Sequence, residues 1–150
     1  MKVPESESIE KKVRVYQGFL PLYNWPYKII IGPDTQRLGE IVEHSLPGLG
    51  IMDEICPDTN AFACHARHDS EGSDFFILLN PCRDRIPHNE LLSVVCHESL
   101  HMSYFMLDKV GVYVDHDNHE AQAYVQQRIF QECKLSLEDY IKRQKLDIIL

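Results

Sequence analysis

The 150 residues contain no apolar run close to the roughly 18 that a membrane-crossing helix needs, and no run of lysines or arginines. The first absence argues against a membrane span. The second, with a formal net charge of −8, argues against nucleic acid and anionic membrane as partners, because phosphate binding needs a basic surface. Of the 5 cysteines, Cys56, Cys64, Cys82, Cys96 and Cys133, no two are spaced as CxxC, and the number is odd. Such usage fits reduced thiols better than a disulfide framework, and so a cytoplasmic protein. Residues 1–12 are polar, with charges of both signs, and lack the apolar core of a secretory leader; they read as a flexible arm. Internal repeats, low-complexity segments and linkers are also missing, so 13–150 reads as one domain.

What is present is an ordinary globular balance, 44% apolar and 25% charged. Strands are predicted over 13–20, 27–31, 61–66 and 75–79. The last is the clearest, since Phe75, Phe76, Ile77, Leu78 and Leu79 are all apolar and Asn80-Pro81 ends them. Asp34 is placed to cap a helix to about Ser45, with Leu38, Ile41 and Val42 on one face. A long helix is predicted over 88–109, with Glu90 in its first turn and Gly111 at its end. Leu91, Leu92, Val94, Val95 and Leu100 are read as its buried face. A second helix runs from near Asn118 to about Lys134. Ser136, with Asp139 three residues on, reads as the cap of a separate last helix to about Lys145. The tail Ile148-Ile149-Leu150 is apolar and is expected to dock. The order is strands with one helix, then three helices, an α+β pattern.

The chemistry lies in His97-Glu98-Ser99-Leu100-His101, an HExxH sequence inside the long helix. Residues four apart share a helix face, so both imidazoles can reach one ion. Zinc suits them, because it accepts histidine nitrogen and prefers four ligands. Glu98, beside the pair, is placed to take a proton from a metal-bound water. A third ligand is expected from the start of the next helix. Glu120 is favoured: it lies 19 residues after His101, enough for an antiparallel return, and Ala121 and Ala123 allow close packing. His119 and Asp117 are rivals. Cys64, His65 and His68 match no zinc spacing and read as incidental to a strand and loop. Cys96 and Cys133 are expected to face the core.

HExxH followed by a second helix bearing a glutamate resembles the zincin metallopeptidases of gluzincin type, over roughly residues 75–134. The small size and the His-Glu-Ala start of the second helix are similar to small zincins of phages and bacterial mobile elements. The metzincin continuation is excluded, since Tyr104 and Leu107 stand where it needs glycine and histidine. The resemblance implies a minimal zincin-like fold and one zinc ion held by His97, His101 and Glu120. It implies peptide hydrolysis with Glu98 as general base. An edge strand would hold extended peptide, here beside Phe75 to Leu79. A donor for the developing oxyanion is also implied, with Tyr113 and His116 preferred over Tyr104 and Tyr124. The location would be a host cytoplasm or a virion, and control by a regulatory protein partner is expected. The other implication is a catalytically silent zinc-binding structural or regulatory protein that keeps the fold.

Overall fold

The computed structural model describes residues 13–45, 48, 50, 52, 55, 60–67, 73–81, 88–148 and 150. The expected arm over 1–12 lies outside them, as do Cys56, His68 and Cys82. Among the described residues the chain is mixed α+β, with a four-stranded mixed sheet and three helices. Strands β1 (Arg14–Leu20) and β2 (Trp25–Ile31) form a hairpin over a 3-10 turn, Pro21–Tyr23. Asn24, at φ 50, sits after that turn and turns the chain back. Helix α1 (Thr35–Ser45) follows, then β3 (Ala61–Arg67), β4 (Ser73–Leu79), α2 (His88–Lys109) and α3 (His119–Gln144).

The sheet order is β1-β2-β4-β3, with β2 and β4 parallel and the outer pairs antiparallel. Strand β4 is therefore paired on both sides. The expectation that Phe75 to Leu79 form the sheet edge is corrected: β1 and β3 are the edges. The reason lies in the burial of β4. Phe75, Ile77 and Leu79 pack under α2 and α3, while Phe76 and Leu78 pack with Leu38 and Val42 of α1. A strand apolar on both faces needs cover on both faces, and an interior place supplies it. Ile29, Ile30 and Ile31 of β2 divide between the same two clusters for the same reason.

Asp34 does cap α1, its Oδ1 accepting the Arg37 N–H at 3.1 Å. Helix α2 has the expected bounds and ends at Gly111, whose φ of +75 lets the Val112 N–H reach the Leu107 carbonyl. Its buried face differs in part. Leu91 and Val95 are buried, Leu92 and Val94 half-buried, and Leu100 is 41% exposed. Met102, Met106 and Leu107 complete the stripe, with Ser99 and Ser103 buried among them. Both serines satisfy their hydroxyls on carbonyls of their own helix, at Val95 and Leu100.

The second and third helices expected after the loop are a single 26-residue helix. Ser136 is not a cap: its hydroxyl donates to the Glu132 carbonyl one turn earlier. Val125, Ile129, Cys133, Leu137 and Tyr140 form one unbroken buried stripe across the expected break. Leu146, Ile148 and Leu150 dock on the same core, as the apolar tail predicted.

Two polar clamps fasten α3 to the hairpin. Glu132 accepts from the Tyr27 hydroxyl and from the Phe19 N–H at 3.0 Å, and pairs with Arg128. Asp139 accepts from the Tyr16 hydroxyl at 2.9 Å and from Arg143 at 2.6 Å. Tyr16 is pushed up to about 12, by burial and then by the Asp139 carboxylate. Burial chiefly raises Tyr27 as well. A phenol raised on folding contributes its full stability below the unfolded value near 10 and loses it as pH climbs through the folded value. The urea midpoint is therefore expected to fall between pH 10 and 12. Tyr16→Phe, which cannot ionise there, should show a smaller fall; an equal fall would show that Tyr16 does not couple to folding.

Candidate functional site

The HExxH residues occupy the middle of α2, at the boundary between its buried stripe and solvent. His97 and His101 stand one turn apart on the exposed side, with Nε2 atoms 2.9 Å apart and ring centroids 4.6 Å apart. At that spacing the two nitrogens are within hydrogen-bond reach of each other, with donor and acceptor set by the tautomers. The same two atoms fit adjacent corners of a zinc tetrahedron. Bonds of about 2.0–2.1 Å put two such nitrogens about 3.3 Å apart, a few tenths of an ångström wider.

Glu98 falls on the other side of the helix boundary, toward the sheet, and is half-buried. Its Oε2 accepts the backbone N–H of Ala63 at 2.7 Å. The strand register explains that contact. The Asn80 N–H donates to the Asn60 carbonyl, so Asn60 and every second residue after it direct their backbone groups at β4. Ala61, Ala63 and His65 direct theirs the opposite way, to the edge where no further described strand pairs. Glu98 thus sits on the outward backbone of the edge strand, 35 residues away in sequence.

The remaining expected residues are more scattered. Glu120 lies in the first turn of α3 with its side chain 89% exposed, 3.6 Å from His119 Nε2. His119 in turn bonds the His116 carbonyl through Nδ1 at 2.9 Å. Asp115 organises the turn before the helix by accepting the N–H groups of Asp117 and Asn118. Among the described residues no three of His, Cys, Asp or Glu gather where a metal could bind, so Glu120, His119 and Asp117 do not join His97 and His101. Tyr113, 74% exposed, and His116 lie in the loop between α2 and α3, and neither hydrogen-bonds the histidine pair. Tyr104 and Tyr124 are also exposed.

Sequence reasoning missed three contributors. Ala63 acts through its backbone, which carries no sequence signal. His65, read as incidental, stacks on Phe75 with centroids 4.4 Å apart and planes at 8°. Phe105 lies 6.3 Å from both His65 and His101, so its ring stands between the edge strand and the histidine pair. The four-residue step from His101 to Phe105 was the available signal. Cys64 points to the opposite face, into the cluster around α1, which separates it from His65. Cys96 is exposed rather than in the core, with the Gln126 amide donating to its carbonyl. Cys133 is buried as expected, and burial raises its thiol.

Among the described residues no helix is long and apolar enough to cross a membrane. No family model matches the chain, and neither a curated protein nor a solved structure does.

Proposed function

We propose that this chain is a zinc-dependent peptidase of the zincin type, acting on protein in an extended conformation. One observation carries the reading: two imidazole nitrogens converge beside a glutamate that is seated on the outward backbone of an edge strand. His97, His101 and Glu120 would hold the ion. Zinc, when bound, polarises the scissile carbonyl and acidifies water. Glu98 takes the proton of the attacking water and passes it to the leaving amine. The edge strand orients the substrate, with β3 in place of the interior Phe75 to Leu79. Ala61 and Ala63 supply the ladder groups. Tyr113 and His116 remain the proposed oxyanion donors.

A second reading is a zinc-binding interaction protein without turnover. It is favoured by the single fact that Glu98 is engaged by Ala63 instead of facing solvent. Elemental analysis of the purified chain separates these readings from a metal-free protein. About one zinc per chain is expected, lost in His97→Ala and in Glu120→Ala. Absence of zinc from the wild type, with the variants equally stable, would sink both.

A further inference from the structure

We infer that Glu98 latches the edge strand, so that docking of an extended peptide and release of the general base are a single exchange. The inference rests on the peptidase reading and deepens it. An added strand bonds to β3 through the N–H and C=O groups directed away from β4, those of Ala61 and Ala63. Glu98 Oε2 holds the Ala63 N–H at 2.7 Å. A peptide carbonyl seeking that donor must displace the carboxylate. The displaced carboxylate is the group that the chemistry needs, one residue from His97 on the exposed side of α2. Two consequences follow from the same bond. With no substrate, the carboxylate covers the middle of an edge that would otherwise pair with other chains, as inward-turned charges do on other sheet edges. With substrate, the base is freed only beneath a docked strand.

The latch predicts opposite behaviour for two substitutions. Glu98→Gln keeps an acceptor oxygen and keeps the latch. Glu98→Ala removes it and leaves the Ala63 donor open. The full chain and both variants, none with metal added and all treated with chelator, would be titrated against fluorescein-labelled casein, an unfolded protein, by anisotropy. Amide hydrogen exchange at Ala63 would be followed by NMR in the same samples. The expected result is about tenfold tighter binding to Glu98→Ala than to wild type, near-wild-type binding to Glu98→Gln, and Ala63 exchange accelerated at least tenfold only in the alanine variant. Equal binding by wild type and Glu98→Ala overturns the latch and leaves the docking reading standing. Binding by none of the three overturns the docking reading and the latch together. Slow Ala63 exchange retained in Glu98→Ala overturns the latch whatever the binding shows.

Discussion

Replacing Glu98 by glutamine is expected, on the proposed peptidase reading, to lower kcat/KM for casein hydrolysis by about 10²–10⁴, with zinc content unchanged. That span is what a positioned general base typically contributes. The amide has nearly the shape of the carboxylate and can still accept the Ala63 N–H through its oxygen, so the packing between α2 and β3 persists. What it cannot do is hold a proton. The loss should therefore fall on kcat rather than KM. A variant with zinc bound and activity within threefold of wild type would remove Glu98 from the chemistry. It would favour a role for the residue confined to the edge strand.

Gly18→Ala is expected to cost about 3 kcal/mol or more, read as a lower urea midpoint at unchanged slope. Gly18 stands directly opposite Tyr27 in the β1–β2 ladder. A Cβ at Gly18 would overlap Cζ and both Cε atoms of the Tyr27 ring. The ring has nowhere to go, being 2% exposed with its hydroxyl held by Glu132. Overpacking of this kind is relieved only by moving the hairpin or breaking the clamp to α3. Tyr27→Leu removes the offending ring atoms, so the double variant should cost less than the sum of the two single ones by more than about 0.5 kcal/mol. Simple additivity would mean that the backbone shifts to accept the methyl group and that the ring is not the obstacle.

The two predictions draw on different layers of the molecule. The placement of Glu98 was legible from the chain, because HExxH on a helix is a local pattern: helical periodicity alone sets two histidines and their glutamate on adjoining faces. The Gly18–Tyr27 contact was not, because nine residues and a turn separate the partners. Only the strand register brings them together. The same contrast recurs at Ser136. Ser136 and Asp139 match a local capping pattern, yet the buried stripe from Val125 to Tyr140 runs through them. Tertiary burial of that stripe outweighs a cap worth about 1 kcal/mol. Leu100 went astray for a related reason. An apolar residue was assigned to the core by type, whereas its angular position places it on the exposed side of α2.

The sequence by itself determined the mixed α+β class, the bounds of α2, the glycine that ends it, and the histidine pair with its glutamate. All of these depend on residues within a few turns of one another, where periodicity and capping act. The tertiary structure alone decided that β4 is interior and β3 an edge. It also decided that α3 is unbroken, and that Glu98 reaches across to the Ala63 backbone. Strand order is a choice among long-range pairings, settled by which faces the helices cover. A backbone N–H is offered by every residue except proline, so only the fold selects which one a carboxylate finds.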